Sequence, residues 1–135
     1  MRFVVDASIA ASWCFDDEDD PVANKAFAML VAKAEAIAPA LFWFEIRNVA
    51  LIGLRRHRIS AENLIDVLAR IERAAIELEP TPSSSAVLAL ARRHNLTFYD
   101  AAYLELALRE NLALATLDHA LVRAASAEGV ALIAA

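Results

Sequence analysis

The sequence predicts a three-layer α/β fold, in which a central, mostly parallel sheet of about four to five short strands is flanked by about seven helices. Three observations support this fold class. Short apolar runs alternate with longer helix-like segments along the whole chain. Several of the apolar runs carry no charge, which is typical of strands covered on both faces. Acidic residues follow two of these runs, at the strand end where open α/β sheets bind their ligands.

Length and composition predict a single compact domain spanning residues 1–135. Hydrophobic residues make up 59% of the chain and only two residues are glycine, a composition typical of a helix-rich globule. The mean hydropathy of +0.44 is high for a monomer, so we expect part of the apolar surface to face another chain. The net charge of −5 argues against a broad basic surface for nucleic acid. Acidic residues that hold divalent cations nevertheless present positive charge to phosphate.

The sequence also predicts a cytoplasmic protein without a membrane segment. No uncharged run approaches the roughly 20 residues that a helix needs to span a bilayer. Asp6 interrupts the first apolar run after three residues, which is not typical of a signal peptide. Cys14 is the single cysteine, so no internal disulfide can form, as expected in a reducing compartment.

The first half of the chain predicts two strands and three helices. In order, these are a strand over 3–5, helices over 7–15 and 21–34, a strand over 35–39 and a helix over 41–56. Pro21 suits the first turn of the second helix, and Pro39 stops the second strand. We interpret the acidic run from Asp16 to Asp20 as a solvated loop rather than a second cation site. Adjacent acids repel one another, and negative charge is favourable before a helix N-terminus.

The second half predicts four helices and three strands. Ser60 caps a helix that runs to about residue 74, and the turn over 80–85 precedes a helix that runs to about residue 94. The remaining elements are strands over 76–78, 112–116 and 130–133 and helices over 100–111 and 119–128. Gly129 is expected to end the last helix.

The helix that begins at Asp100 is central to the predicted fold. An aspartate at this position can cap the free backbone N–H groups of the first turn. Asn111 tolerates the left-handed conformation that often ends a helix. The apolar residues share one face and predict a buried stripe of Ala101, Leu104, Ala107 and Leu108.

Four acids stand at positions from which their side chains can converge. Asp6 and Asp118 follow strands, and Asp100 starts a helix, although each is also a plausible cap or solvated carboxylate. Glu45 is the one acid in a long apolar helix, where an uncompensated charge is costly to bury. Crowded carboxylates raise one another's pKa unless a cation neutralises them, and Mg²⁺ or Mn²⁺ suits an all-oxygen site. The set therefore predicts a metal site for phosphodiester hydrolysis.

Two further polar residues are near these acids in sequence. Asn48 follows Glu45 by three positions and can either hydrogen-bond a ligating carboxylate or serve as an ordinary polar residue of the helix. Glu105 lies in the same helix as Asp100, but five residues place it roughly 140° around the axis. We therefore leave Glu105 out of the metal site.

The four acids lie within four short segments that occur in the order VVDAS, FEIRNVAL, YDAAYLELA and ATLDHAL. Together, these segments resemble the PIN-domain family, and more narrowly the VapC-type toxins of bacterial and archaeal toxin–antitoxin pairs. The resemblance covers essentially the whole chain. It implies a PIN-like fold in which the four acids are metal ligands and the hydroxyls of Ser8 and Thr116 line the site.

The resemblance also implies an activity and partners. The expected activity is that of a Mg²⁺- or Mn²⁺-dependent endoribonuclease, acting as the toxin of a type II toxin–antitoxin system. The expected partners are an RNA substrate, a second copy of the chain in a homodimer, and a VapB-like antitoxin whose tail blocks the cleft.

Three other function classes compete with this interpretation. A catalytically silent PIN-like scaffold that acts through protein or RNA binding would keep the fold, but the intact set of acids argues against it. A phosphoacceptor regulator needs an acidic pair after the first strand and a late lysine, whereas Ala7 follows Asp6 and no lysine follows Lys33. A phosphatase with an aspartate nucleophile needs a second aspartate two residues later, where this chain has Ser8.

Overall fold

The fold, described for all 135 residues by a computed structural model, contains four strands and seven helices. In chain order the elements are β1 (Arg2–Val5), α1 (Ala7–Cys14), α2 (Pro21–Val31), β2 (Glu35–Pro39), α3 (Leu41–Arg55), α4 (Ala61–Arg73), β3 (Glu77–Glu79), α5 (Ser84–His94), α6 (Phe98–Glu110), β4 (Ala113–Ala115) and α7 (His119–Ala127). The α/β fold class expected from the sequence is confirmed. None of the seven helices combines the length and apolar character that a membrane span requires.

The four strands form one parallel sheet in the order β3-β2-β1-β4. Phe3, Val4 and Val5 of β1 are fully buried, as expected for a central strand covered on both faces. Because all strands run the same way, their last residues lie along one edge of the sheet, here called the carboxyl edge. The chain passes from β1 through β2 to β3 and then returns to the other side of β1. The gap between β1 and β4 is thus the topological switch point, where such sheets bind ligands.

Several helices also begin at the carboxyl edge. Helices α1, α3 and α7 each follow the end of a strand, and α6 runs back across the sheet before β4 begins. A helix that connects parallel strands runs opposite to them, so its N-terminus lies beside the strands' carboxyl ends. The sheet edge where β1 and β4 end therefore collects helix N-termini as well as loop residues.

Helix α6 is buried on all sides over most of its length. Every residue from Ala101 to Ala107 is buried, whereas Leu108 is 38% exposed. The single buried stripe predicted from Ala101, Leu104, Ala107 and Leu108 was therefore wrong. The physical reason is that α6 contacts β1, β2 and β4 on one side and α5 and α7 around it.

The cap of α6 also differs from the prediction. Thr97 precedes the helix, and its Oγ1 accepts a hydrogen bond of 3.0 Å from the Asp100 backbone N–H. Asp100 lies in the first turn, so its carboxylate is not used as the cap. Asn111 ends the helix in the left-handed conformation, as the sequence predicts.

The predicted closing strand over 130–133 is reduced to a single bridge. Leu132 pairs with Leu114 of β4 at one position, with hydrogen bonds of 2.9 Å on either side. Gly129 adopts a positive φ of 74° directly after α7, in agreement with the predicted helix end. Only this one position pairs with β4, so the sheet has four strands.

Candidate functional site

Asp6, at the end of β1, is the most buried acid of the carboxyl edge, with 4% of its surface exposed. Its Oδ1 accepts hydrogen bonds from the Ser8 hydroxyl (2.5 Å) and from the Ile9 backbone N–H (3.2 Å), which makes Asp6 the cap of α1. Its Oδ2 accepts a hydrogen bond from the Thr116 hydroxyl. Both oxygens of Asp6 are therefore held in place by the chain that surrounds them.

The Ser8 and Thr116 hydroxyls connect the loops that follow β1 and β4. The Ser8 oxygen accepts a 2.9 Å hydrogen bond from the Leu117 N–H, and the Thr116 oxygen accepts one of 3.1 Å from the Asp118 N–H. Because each hydroxyl accepts from a backbone N–H, its own proton is directed to Asp6. This network brings Ser8 and Thr116, which are 108 positions apart, to the same carboxylate.

Glu45 reaches the site from the second turn of α3 and is partly buried. Its Oε1 accepts a 2.6 Å hydrogen bond from the phenol of Tyr103 on α6. Tyr103 itself is 1% exposed. Tyr103 was not among the residues predicted for the site, although a signal was present: it follows Asp100 by three residues and so shares its helix face. For Asn48 the sequence left open a hydrogen bond to a ligating carboxylate or an ordinary polar role. Asn48 is exposed and lines the same cleft as Glu45, and the Glu45 carboxylate is bonded by Tyr103 instead.

Asp118 completes the carboxyl edge at the start of α7. Its Oδ1 accepts a 2.9 Å hydrogen bond from the Leu121 N–H, so Asp118 is the cap of this helix. Asp6 and Asp118 are thus both helix caps, whereas Asp100 is not. A cap uses only part of a carboxylate's hydrogen-bonding capacity, because each carboxylate offers about four lone-pair positions.

The electrostatics show that these acids share one environment. Burial raises the pKa of Asp6, against the lowering effect of the hydrogen bonds from Ser8 and Thr116. Burial also raises the pKa of Glu45, and the negative charges of Asp100 and Asp6 raise it further. The pKa of Asp100 is raised by burial and by the charge of Asp118. Each of the four acids therefore lies close enough to another of them either to raise that acid's pKa or to have its own pKa raised.

No cation of the chain compensates these charges. None of the ion pairs in the protein involves Asp6, Glu45, Asp100 or Asp118. Glu105, which the helix geometry placed away from the site, is instead paired with Arg109 at 2.8 Å. The four acids therefore concentrate negative charge that is stabilised by hydroxyls, backbone N–H groups and helix dipoles rather than by cationic side chains.

The donor set fits a hard divalent cation by its chemistry. It consists of carboxylate oxygens with neighbouring hydroxyls, and it contains neither imidazole nor thiol ligands. No three histidine, cysteine, aspartate or glutamate side chains lie close enough together to enclose an ion in this arrangement. Repulsion between like charges favours such separated rotamers. Glu45, Asp100 and Asp118 are only partly buried, so their carboxylates are accessible to a cation from solvent.

Comparison with known proteins agrees with this architecture. The crystal structure of PAE2754 from Pyrobaculum aerophilum superposes with a TM-score of 0.70 at 22% sequence identity, over 98% of this chain and 90% of that chain. At this identity the similarity shows a common fold. No curated protein matches the sequence.

The sequence also matches the family model of the PIN domain over residues 3–127, which include all four acids. PIN domains are in general nucleases that use divalent metal ions. Because the match spans nearly the whole length, the chain belongs to the PIN-domain family.

Proposed function

We propose that this protein is a Mg²⁺- or Mn²⁺-dependent endoribonuclease that acts as the toxin of a type II toxin–antitoxin pair. The observation that supports the nuclease activity is the set of mutually interacting carboxylates at the carboxyl edge, contributed by α3, α6 and the loops after β1 and β4. A fold without catalytic function has no need to bring several acids together without a cation partner, because their mutual repulsion is costly.

In this proposal Asp6, Glu45, Asp100 and Asp118 hold the divalent ion. When bound, such an ion acts as a Lewis acid toward the phosphoryl group and lowers the pKa of water beside it. Ser8 and Thr116 keep the Asp6 carboxylate in one orientation. The phenol of Tyr103 engages one oxygen of Glu45 and leaves the other free.

The chain's own residues also account for phosphate binding and proton transfer. The N-termini of α1, α6 and α7 face the carboxyl edge, where their dipoles favour the charge of a phosphate. Asp100, whose carboxylate is not used as a helix cap, would take the proton of the attacking water through an oxygen that does not bind the ion. Attack in line with the leaving 3′ oxygen would leave a 5′-phosphate and a 3′-hydroxyl.

Cleavage of RNA by the purified protein, separated from any antitoxin, tests the nuclease activity. We expect cleavage of a structured RNA with Mg²⁺, no cleavage with EDTA, and a loss of about 1000-fold or more in Asp100→Asn, because metal ions contribute several kcal/mol to such reactions. Asp19→Asn, in the exposed loop between α1 and α2, is the matched control and should cleave normally. Equal cleavage by Asp100→Asn and the unsubstituted protein would show that the assignment is wrong.

The toxin role rests on the resemblance of the four segments that contain the acids to VapC-type toxins. Expression of the protein in cells should arrest growth, and Asp100→Asn should not. Co-expression of the short upstream reading frame expected for an antitoxin should restore growth. Sequencing of RNA ends after induction would identify the substrate.

A homodimer is the expected state of the free protein. The mean hydropathy of +0.44 and exposed apolar side chains such as Ile65 (69%) and Val31 (68%) support a surface covered by another chain. Sedimentation velocity should therefore give about twice the 14.7 kDa mass of one chain. A monomer at micromolar concentration would argue against the homodimer.

A further inference from the structure

A cleft of about 580 Å³ opens next to the carboxylates and is not explained by the chemistry of the metal site. Its walls come from the first two turns of α3 and from the first turn of α6. The lining residues are Leu41, Phe44, Glu45, Asn48 and Tyr99. This volume lies within the range of pockets that bind small organic groups.

Two aromatic rings dominate the walls of the cleft and face solvent. Phe44 is 68% exposed and Tyr99 is 64% exposed. The ring of Phe44 is supported by an edge contact with Trp43, with centroids 5.0 Å apart. Aromatic rings presented in this way to a cleft are surfaces on which a flat group can stack.

The cleft adjoins the set of carboxylates through Glu45. Glu45 belongs both to its wall and to the interacting acids, and Tyr99 directly precedes Asp100. A group that occupies the cleft therefore lies directly beside the position where the proposed nuclease would hold a scissile phosphate.

The charge of the lining indicates which part of an RNA strand would fit. No lysine or arginine lines the cleft, and Glu45 adds a negative charge, so a phosphate is disfavoured there. A nucleobase is neutral and flat, and its polar edge can pair with the Asn48 amide, which both donates and accepts. We propose that the cleft binds one unpaired nucleobase of the RNA strand, stacked on Phe44 or Tyr99, next to the cleaved phosphate. This inference rests on the proposed nuclease function.

The test combines removal of a nucleobase from the RNA with removal of an aromatic ring from the protein. In a short single-stranded oligoribonucleotide that the unsubstituted protein cleaves at one site, each nucleotide near that site is replaced in turn by an abasic one. We expect one abasic position to reduce kcat/KM about tenfold, which is typical of a lost base–aromatic stack. Tyr99→Ala and Phe44→Ala should reduce kcat/KM for the intact RNA. In at least one of these variants, the abasic substitution at the sensitive position should reduce kcat/KM no further.

A second readout does not depend on cleavage. The same RNA carries 2-aminopurine at the sensitive position, and its binding is followed with Ca²⁺ in place of Mg²⁺. Stacking should quench the fluorescence with the unsubstituted protein and with Tyr99→Phe, which keeps the ring, and less with the alanine variant that removes the stack. Phe27→Ala, which removes a 52% exposed ring from α2, is the matched control and should behave like the unsubstituted protein.

The outcomes separate the cleft from the metal site. If RNA is cleaved but an abasic nucleotide reduces kcat/KM as much in both alanine variants as in the unsubstituted protein, the base site is wrong and the nuclease assignment stands. If the alanine variants change the oligomeric state and leave the abasic penalty intact, the cleft is covered by a second copy of the chain, and the base site is again wrong. If the unsubstituted protein neither binds nor cleaves RNA, both proposals fail.

Discussion

Two clusters of acids in this protein are opposite in character. The loop over 16–20 between α1 and α2 contains five consecutive acids, and the carboxyl edge contains four that are far apart in sequence. In the loop, Asp17 and Glu18 pair with Arg58 at 3.0 and 3.2 Å, and Asp20 caps α2. At the carboxyl edge no acid has a cation partner, and burial raises the pKa of three of them.

The difference shows that the density of acids in sequence is a poor guide to a functional site. Consecutive acids diverge into solvent and find partners on neighbouring elements at little cost. Acids brought together by parallel strands and helix N-termini lose water and repel one another, and a bound cation would offset this cost. The following predictions test this distinction, from the largest expected effect to the smallest.

Divalent cations should stabilise the protein through the carboxyl edge alone. At a Mn²⁺ concentration 100 times the dissociation constant, binding to the folded state adds about 2.7 kcal/mol to the free energy of unfolding. Thermal unfolding should show this gain in the unsubstituted protein and in Asp17→Asn, and a much smaller gain in Asp100→Asn. An equal gain in unfolding free energy in all three proteins would show that the cation binds outside the carboxyl edge.

Tyr103→Phe removes the hydrogen bond that holds Glu45. We expect the free energy of unfolding to fall by about 1.5 kcal/mol, and the affinity for Mn²⁺ to fall about tenfold, because Tyr103 positions a carboxylate rather than binding the ion itself. Denaturant unfolding and calorimetry measure the two effects. Tyr99→Phe is the matched control: Tyr99 is 64% exposed and does not hold Glu45, so neither quantity should change. A normal Mn²⁺ affinity in Tyr103→Phe would exclude the positioning role.

Glu128 should show a pH dependence opposite in sign to that of the carboxyl edge. Its pKa is lowered by hydrogen bonds from His94 (2.6 Å) and Arg93 (2.9 Å). A lowered pKa means that the folded state binds fewer protons than the unfolded state, so the stabilisation is present above the ordinary value of 4.5 and is lost as the pH falls through the folded-state pKa.

The measurement is the difference in unfolding midpoint between the unsubstituted protein and Glu128→Gln. This difference should be present above pH 4.5 and should shrink on further acidification. For Asp6, Glu45 and Asp100, whose pKa values are raised by burial, stability without metal should instead decrease as the pH rises above their ordinary values. A Glu128 difference that grows on acidification would contradict the assigned sign.

The smallest effect is expected in the acidic loop. The Asp17 side chain is 76% exposed, against 18% for Glu128, so solvent screens its pairing with Arg58 far more strongly. The double substitution Asp17→Asn and Glu18→Gln should change the unfolding midpoint by an amount at the limit of detection. A large loss would show that this loop has a structural role comparable to that of the carboxyl edge.

The sequence was sufficient to predict the order of the elements, because that prediction depends on local patterns. Pro21, Ser60 and Asn111 mark helix ends that the structure reproduces. The burial of α6 on all sides was not predictable from its own sequence, since it depends on which elements pack around the helix. The prediction of a closing strand over 130–133 was wrong for a related reason. The segment is as apolar as a strand, but it pairs with β4 at one position only.

The placement of the acids at one edge of the sheet was predictable from the sequence, and their hydrogen-bond partners were less so. Strand ends in a parallel sheet meet at one edge, so Asp6 and Asp118 could be placed together from sequence. The Tyr103–Glu45 hydrogen bond joins residues 58 positions apart on two helices, and no local pattern specifies such a pair. A capping role was one of the alternatives that the sequence left open for Asp6, and the hydrogen bond from the Ile9 N–H shows that Asp6 caps α1.

The location of a bound cation tests the central claim most directly. Crystals grown with Mn²⁺ would show the ion in an anomalous difference map. The account predicts a peak among the carboxylates of Asp6, Glu45, Asp100 and Asp118. A peak only at the acidic loop over 16–20, or none within coordination distance of these four residues, would contradict it.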